Sequence, residues 1–191
     1  MERNLLQKDS QIIRIVMYGP ESTGKTTLAR QLAAHYNTSW VPEYMRLYLE
    51  DKVVGPEGEL VSYEELMPIA EGQMLMENTR LQQAKTFLFC DTNLLELEVY
   101  ATYYFGKSPK ELTTFALKNV YELYVLTHID VPWEIDAFRD RPEDREAMFD
   151  LFEQRLIDAN KPYIIAKGDE QNRLDFVIDH IGSLFLDNKI V

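Results

Sequence analysis

The sequence is poor in cysteine, in basic residues and in long apolar runs, and each shortage excludes a class of protein. A single cysteine, Cys90, rules out an intramolecular disulfide and favours a reducing compartment. Only 20 Lys and Arg stand against 32 Asp and Glu, a net charge of −12, so we expect no nucleic acid and no anionic membrane as partner. No apolar run is long enough to span a bilayer, and the N-terminal residues lack a signal-peptide core. A cytoplasmic protein is therefore expected.

Several catalytic signatures are also missing from the sequence. The three histidines are isolated, without an H-E-x-x-H motif or a Cys/His cluster, so a zinc site is not predicted. The H-x-G-H motif of nucleotidyltransferases is absent. So is the guanine-reading N-K-x-D motif of GTPases, because the related stretch at 166–169 reads A-K-G-D. These absences argue against a nucleotidyltransferase and against a GTPase switch.

What the sequence does contain is the pattern of an α/β domain. Its 191 residues, 46% of them apolar, suffice for one domain with a sizeable core, expected at about 12–186. Strands are predicted at 12–18, 38–43, 86–91, 122–127 and 162–167, and helices at 24–36, 62–84, 93–105, 108–118, 143–159 and 170–186. Apolar strands that alternate with helices predict a doubly wound, mainly parallel five-stranded sheet, which binds ligands at the C-terminal ends of its strands.

The most specific motif follows the first predicted strand, where Gly19, Gly24, Lys25 and Thr26 have the spacing G-x-x-x-x-G-K-[ST]. The glycines let successive N–H groups point at phosphate oxygens, and the positive end of the next helix faces the same anion. We expect Lys25 to neutralise the terminal phosphates of ATP and the Thr26 hydroxyl to bind Mg²⁺. The residues predicted to bind the nucleotide here are Gly19, Pro20, Glu21, Ser22, Thr23, Gly24, Lys25, Thr26 and Thr27.

Two carboxylates follow other predicted strands. Asp91 ends the third strand in the form of a Walker B aspartate, which holds magnesium. The alternative is that Asp91, Thr92 or Asn93 only caps the next helix. Glu43 and Arg46 lie just past the second strand, where a carboxylate can take the proton from an acceptor hydroxyl. The alternative for Glu43 is an acidic residue that merely complements the dipole of a helix N-terminus.

The segment 129–146 concentrates arginine within an acidic chain. Such a segment can close over a triphosphate as a lid, neutralise developing charge and exclude water. We expect Arg139 and Arg141 to be catalytic and Arg145 to bind the nucleotide. Trp133 can stack on a ligand ring. The alternative is a solvated run in which the arginines pair with neighbouring carboxylates.

Two further stretches carry weaker expectations. Residues 168–173, after the last strand, are expected to form a loop along the adenine. Tyr100, Tyr103 and Tyr104 have helical spacing and are expected to belong to the core rather than to a binding site.

Together these motifs resemble the ribosylnicotinamide kinase domain of bacterial regulators of NAD biosynthesis, over residues 12 to 180. The matching stretches are G-P-E-S-T-G-K-T-T-L-A-R-Q-L-A from 19, P-E-Y-M-R-L-Y-L from 42, I-A-E-G-Q from 69, F-C-D-T-N from 89 and P-W-E-I-D-A-F-R-D-R-P-E-D-R from 132. The resemblance implies a P-loop kinase fold with ATP and Mg²⁺ as cofactors. It also implies phosphorylation of the 5′-hydroxyl of nicotinamide riboside to give nicotinamide mononucleotide.

The resemblance also assigns roles to residues of the site. Asn93 stands where family members often have a second aspartate, and this difference leaves the identity of the substrate open. The residues implied to face the substrate are Glu43, Arg46, Gln73, Asp91, Asn93, Trp133 and Asp136. The residues implied to be catalytic are Lys25, Glu43, Asp91, Arg139 and Arg141, with Thr26 and Asp91 as metal ligands. Whether Glu43 or Asp91 is the base stays open.

The segment 44–85 is where nucleoside kinases of this type build the acceptor pocket, so a small-molecule nucleoside is the expected partner. The chain has neither the H-x-G-H motif nor the length for the adenylyltransferase module of the multidomain relatives, and we expect the kinase step alone. Two alternatives remain: a kinase for another nucleoside or small metabolite, and a nucleotide-binding switch with a protein partner. The choice between ATP and GTP and the oligomeric state, a homodimer included, stay open.

Overall fold

The computed structural model describes residues 5–50, 52, 61–132 and 144–186. In chain order the helices and strands are β1 (Ile13–Tyr18), α1 (Lys25–His35), β2 (Trp40–Val41), α2 (Tyr44–Glu50), α3 (Leu66–Arg80), β3 (Phe87–Asp91), α4 (Leu94–Phe105), α5 (Lys110–Lys118), β4 (Leu123–Thr127), α6 (Arg145–Asp158), β5 (Tyr163–Ala166) and α7 (Glu170–Ile181). Short 3₁₀ turns flank α3, and a π-helical turn follows α7. No helix among these residues is long and apolar enough to cross a membrane.

The five strands form one parallel sheet in the order β2-β3-β1-β4-β5. The central strand β1 has neighbours on both sides, with Val16 in register with Cys90 of β3 and with Tyr124 of β4. The C-terminal ends of β1, β3 and β4 therefore meet at one edge of the sheet. The predicted doubly wound parallel fold is confirmed.

Helices cover both faces of the sheet, so alternate side chains of each strand enter different cores. In β1, Val16 and Tyr18 join a core with α3, α4 and α6, whereas Ile15 and Met17 join a second core with α1 and α7. Burial on both faces removes apolar surface from water throughout each strand. This explains why the strands appear in the sequence as continuous apolar runs.

The structure differs from the prediction mainly after β1. The second strand is only Trp40–Val41, because Pro42 has no N–H to extend the ladder. The helix α2 was not predicted, although it lies within the segment expected to build the acceptor pocket. The long predicted helix at 62–84 is divided, with a capping box of Ser62 and Glu65 preceding α3.

Candidate active site

The phosphate loop lies between β1 and α1, at the C-terminal edge of the sheet. Gly19 and Gly24 both have positive φ, 135° and 81°. A Cβ on Gly19 would lie 3.1 Å from the carbonyl oxygen of Thr127, so the loop passes close to the end of β4. The Thr23 hydroxyl donates to the carbonyl of Pro20 at 2.7 Å and lies 2.6 Å from Oγ1 of Thr127. These bonds hold the loop against the sheet in a defined shape.

A cavity of about 410 Å³ opens in front of this loop. The predicted nucleotide-binding residues that border it are Glu21, Ser22, Thr23, Gly24, Lys25, Thr26 and Thr27. Glu43 and Arg46 border it from the side of α2, and Tyr100 from α4. The structure therefore brings the phosphate loop and the candidate base together around one space, with the N-terminus of α1 facing it.

Thr26 and Asp91 are in direct contact across the end of the sheet. The Thr26 hydroxyl donates a hydrogen bond of 2.6 Å to Oδ2 of Asp91, whose side chain is buried. Burial, together with the charge of Glu43, raises the pKa of Asp91 to about 7, against the opposing effects of Thr26 and Lys25. The predicted metal ligands are thus adjacent.

The Thr26–Asp91 pair suits Mg²⁺. The second carboxylate oxygen of Asp91, Oδ1, is buried and has no hydrogen-bond partner among the described residues. Mg²⁺ takes oxygen ligands and is usually held by one or two carboxylates together with substrate phosphates and water. The described part of the chain has no group of three or more His, Cys, Asp or Glu side chains that could hold a metal. One hydroxyl and one carboxylate beside a phosphate loop fit magnesium bound jointly with a nucleotide.

Glu43 lies in the turn between β2 and α2, and Gln73 holds that turn in place. Gln73 accepts a hydrogen bond from the amide of Tyr44 at 2.7 Å and donates to the carbonyl of Pro42 at 3.3 Å. Gln73 also borders a small cavity next to the main one, which Glu43 borders as well. In Arg46, the third residue of α2, the Nε atom lies 3.4 Å from Oε1 of Glu50. Gln73 therefore fixes the position of the candidate base in addition to facing the small cavity.

Asn93 caps α4. Its side-chain oxygen accepts hydrogen bonds from the amides of Leu95 and Glu96, both at 3.1 Å, and its amide group donates to the Tyr124 hydroxyl at 3.2 Å. The capping alternative thus applies to Asn93, and Asp91 keeps its carboxylate directed at Thr26. Asn93 still borders the small cavity, but its polar atoms are already bound within the protein.

The lid segment is described only at its two ends. Arg145, the first residue of α6, donates to the carbonyl of Val131 at 2.9 Å and contacts the carbonyl of Ser22 in the phosphate loop at 3.4 Å. The predicted lid residues that lie outside the described residues are Trp133, Asp136, Arg139 and Arg141. Arg145 thus contacts the phosphate loop, and its predicted role in binding the nucleotide stays a prediction.

Sequence reasoning missed Glu96. It lies in the first turn of α4 and is 3% exposed. Its Oε1 lies 3.2 Å from Nζ of Lys25, and its Oε2 accepts a bond of 3.3 Å from the amide of Gly19. The available signal was an acidic residue within an apolar helical run directly after Asp91.

Arg173 is the second missed residue. Its guanidinium donates to the carbonyls of Gly168 and His128, both at 2.8 Å, to the carbonyl of Thr23 in the phosphate loop, and to Asp130. The helix predicted from residue 170 is confirmed at its start, because Asp169 caps α7 there, so the alternative of a loop over 168–173 holds only for its first two residues. A buried arginine thereby joins the ends of β4 and β5 to the phosphate loop.

The tyrosine prediction is confirmed only in part. Tyr100 is 8% exposed and packs on Phe152, as expected for a core residue, but it also borders the main cavity. Tyr104 is 39% exposed and stacks on Tyr100 at the edge of α4, so its assignment to the core is wrong.

Three carboxylates act on the lysine of the phosphate loop. Burial alone would lower the pKa of Lys25, but Glu96, Glu43 and Asp91 raise it above its usual value. Burial raises the pKa of Glu96 to about 8 in spite of Lys25. These two shifts point to different charge states: the raised pKa of Lys25 favours a charged ammonium paired with a carboxylate, whereas the raised pKa of Glu96 favours a neutral carboxyl. We assign the charge to the Lys25 ammonium, because it also donates to two carbonyl oxygens.

Comparison with known proteins identifies the family. A family model described as an AAA domain matches residues 14–173. The chain is similar to the trifunctional NAD biosynthesis/regulator protein NadR of Salmonella typhimurium, with 26% identity over 155 residues, 80% of this chain and 38% of that protein. The protein of the same name from Escherichia coli is 26% identical over 150 residues, 75% of this chain and 36% of that protein. The chain spans less than two-fifths of the length of these relatives.

The fold is also found in solved structures. A NadR protein in complex with NR superposes with a TM-score of 0.76 and 22% identity, over 91% of this chain and 51% of that one. The deoxyadenosine kinase of M. mycoides superposes with a TM-score of 0.59 and 12% identity, over 90% of this chain and 99% of that one. With a family model that covers most of the chain and a phosphate loop at the edge of a parallel sheet, the chain belongs to the AAA-domain family and has a P-loop fold.

Proposed function

We propose that this protein is an ATP-dependent kinase that phosphorylates the 5′-hydroxyl of nicotinamide riboside. The observation that carries the proposal is that the phosphate loop and a second carboxylate, Glu43, border the same cavity. Transfer to an acceptor needs a phosphate loop and a base within reach of the acceptor hydroxyl, and one space bordered by both supports a kinase. The similarity to NadR supports the choice of acceptor, since one NadR structure is a complex with NR (nicotinamide riboside) and another is a complex with NAD and AMP-PNP.

In the proposed reaction, the triphosphate of ATP lies on residues 19–27. Thr26 and Asp91 would hold Mg²⁺, which when bound neutralises charge on the phosphates. Lys25 and the lid arginines stabilise the negative charge that develops on the γ-phosphoryl group. The γ-phosphorus forms a bond to the acceptor oxygen as its bond to the bridging oxygen of ADP breaks. The hydroxyl proton passes to a carboxylate.

Glu43 is our candidate for that carboxylate. Asp91 is engaged by the Thr26 hydroxyl and is the proposed metal ligand, whereas Glu43 stands at the boundary of the two cavities. Glu43→Gln should therefore lower transfer strongly, by about a hundredfold or more, as expected for the loss of a general base. If transfer survives this change nearly intact, Asp91 becomes the candidate base.

The acidic character of the chain suits this acceptor. The net charge of the chain is −12. Nicotinamide riboside carries a positively charged pyridinium, and a net acidic chain is compatible with such an acceptor. A reducing, cytoplasmic location fits the single buried cysteine, Cys90.

Mass spectrometry of the reaction products tests the proposal. Purified protein is incubated with Mg-ATP and nicotinamide riboside, with ordinary nucleosides and deoxynucleosides in parallel, and with ATP alone and the Lys25→Ala variant as controls. A new mononucleotide from nicotinamide riboside that Lys25→Ala does not form supports the kinase. Product from another nucleoside keeps the mechanism but changes the substrate. ATP binding without product from any acceptor would contradict the kinase and favour a nucleotide switch.

A further inference from the structure

The ammonium group of Lys25 is turned back onto its own loop. Its Nζ donates to the carbonyl of Gly19 at 2.7 Å and to the carbonyl of Pro20 at 2.8 Å. The carboxylate of Glu96 lies 3.2 Å from the same atom, and the lysine side chain is only 9% exposed. A lysine in the spacing G-x-x-x-x-G-K-[ST] serves the terminal phosphates of a nucleotide, which occupy the concave side of the loop. Here that cation is held by protein oxygens.

Glu96 is fixed in the position from which it holds Lys25. Its backbone amide is bound by the Asn93 cap, which places it in the first turn of α4. Its second carboxylate oxygen accepts the amide of Gly19, so the side chain contacts both ends of the phosphate loop motif. When both groups are charged, moving either away would leave the other as an unpaired buried charge, which is costly. Glu96 therefore favours the observed position of Lys25.

We propose that Glu96 is a positioning residue that holds the phosphate-loop lysine in a withdrawn position and competes for it with the β- and γ-phosphates, so that a nucleoside di- or triphosphate must displace the Lys25–Glu96 pair to bind. The inference rests on the proposed binding of ATP, but not on the identity of the acceptor. Glu96 and the terminal phosphates compete for one cation. The affinity for nucleotide is reduced by the fraction of molecules in which Lys25 is withdrawn.

The competition has a signature that depends on the number of phosphates. The lysine of such a loop reaches the β- and γ-phosphates, not the α-phosphate. Removal of the charge of Glu96 should therefore strengthen the binding of ATP and ADP and leave that of AMP unchanged. A purely structural role for Glu96 would weaken all three nucleotides alike, because all of them contact the loop.

The experiment measures the Kd of ATP, ADP and AMP by isothermal titration calorimetry for the wild type and for Glu96→Gln. Glutamine has the same shape and can still accept the amide of Gly19, but it carries no charge. Glu98→Gln is the matched control, since Glu98 lies on the same helix and is buried, but pairs with Arg155 at 2.8 Å. Because burial raises the pKa of Glu96 to about 8, the titrations are made above that pH, where the carboxylate is charged.

We expect Glu96→Gln to bind ATP and ADP about tenfold more tightly than the wild type. This factor corresponds to a wild type in which molecules with Lys25 withdrawn outnumber the others by about ten to one. AMP should bind equally to both, and Glu98→Gln should bind all three as the wild type does. Equal or weaker ATP binding by Glu96→Gln would overturn the proposal, and so would the same tightening in Glu98→Gln. If the wild type binds no nucleotide at all, the proposed function fails as well.

If circular dichroism shows that Glu96→Gln does not fold, Glu96→Asp takes its place in the binding experiment. Aspartate keeps the charge, but it is one methylene shorter and cannot reach both Lys25 and the amide of Gly19. The pair is then weakened, and ATP should bind more tightly than to the wild type, by a smaller factor. ATP affinity equal to or below that of the wild type would count against the proposal.

Discussion

Gly72 and Tyr44 are in contact so close that any larger residue at position 72 would have to displace the Tyr44 ring. A Cβ built on Gly72 would lie 2.0 Å from Cε1 of the Tyr44 ring and 2.2 Å from its Cζ. Tyr44 directly follows Glu43, and its amide is bound by Gln73, the neighbour of Gly72. The position of the proposed base thus depends on a glycine of α3.

Gly72→Ala should therefore impair both stability and catalysis. The added methyl must push the Tyr44 ring away, a form of overpacking that costs about 1–3 kcal/mol of unfolding free energy. Because α2 moves with the ring, we expect kcat/KM for the acceptor to fall by about tenfold or more. Urea denaturation and steady-state kinetics measure the two effects.

Gly182→Ala is the control for this change. Gly182 has helical φ, and a Cβ there meets nothing within 4 Å. Alanine at this position should leave the acceptor kinetics unchanged. If Gly72→Ala behaves like Gly182→Ala in the kinetics, the contact with Tyr44 does not control the position of Glu43.

Thr26 gives a prediction about metal dependence. Thr26→Val removes the hydroxyl but keeps the shape of the side chain, so that Asp91 loses its 2.6 Å donor and the metal loses a ligand. The Mg²⁺ concentration needed for half-maximal transfer should rise by at least about tenfold. Thr26→Ser keeps the hydroxyl and should stay near the wild type. An unchanged magnesium dependence in Thr26→Val would exclude Thr26 as a ligand.

The sequence predicts the parts of this site that are local in the chain. The phosphate loop from Gly19 to Thr26 is one contiguous turn, and its glycines and lysine have to stand at fixed spacing. Asp91 is also predictable, since it ends an apolar strand. By contrast, α2 was not predicted, because its amphipathic pattern is short and its position depends on contact with Gly72 of another helix.

Arg173 provides a test of a residue that local patterns cannot identify. It lies 150 positions from Thr23, whose carbonyl it binds, and it also binds the carbonyls of His128 and Gly168. Arg173→Ala leaves these groups without their donor and should lower the free energy of unfolding by about 2–4 kcal/mol. It should also weaken ATP binding, because Thr23 belongs to the phosphate loop.

Arg80→Ala is the control, because it removes an arginine side chain that does not contact the phosphate loop. Arg80 is exposed, and within the described part of the chain its guanidinium donates to Gln83, one turn on, at 3.4 Å. Its replacement should change the unfolding free energy by no more than about 0.5 kcal/mol. Similar losses in the two variants, measured by urea denaturation, would show that Arg173 does not hold the loop.

Glu96 escaped prediction for the same physical reason as Arg173. Its partner Lys25 is 71 positions away in a different element, and its own surroundings in the sequence are those of a buried apolar helix. Acidic residues in such a helix, here Glu96 and Glu98, indicate that cations lie nearby, but the sequence does not say which ones. Only the parallel arrangement of β1 and β3 brings α4 to the phosphate loop.

The buried position of Glu96 also predicts how stability depends on pH in the absence of nucleotide. Burial, with the charges of Glu43 and Asp91, raises the pKa of Glu96 from 4.5 to about 8, while Lys25 opposes the rise. Between these two values the folded state holds a proton that the unfolded state has released. The contribution of Glu96 is then fully present below pH 4.5 and is lost as the pH rises to about 8.

The free energy of unfolding of the wild type should therefore fall as the pH rises through this window, by at most about 1.4 kcal/mol per pH unit for this one group. Glu96→Gln cannot bind the proton, so its free energy of unfolding should fall less steeply over the same window. The difference between the two proteins isolates Glu96 from Asp91 and from other buried carboxyls, which both proteins keep. Urea titrations at several pH values measure both slopes. Parallel slopes would mean that Glu96 is charged throughout, held so by Lys25, and would leave the withdrawn lysine to be tested by nucleotide binding alone.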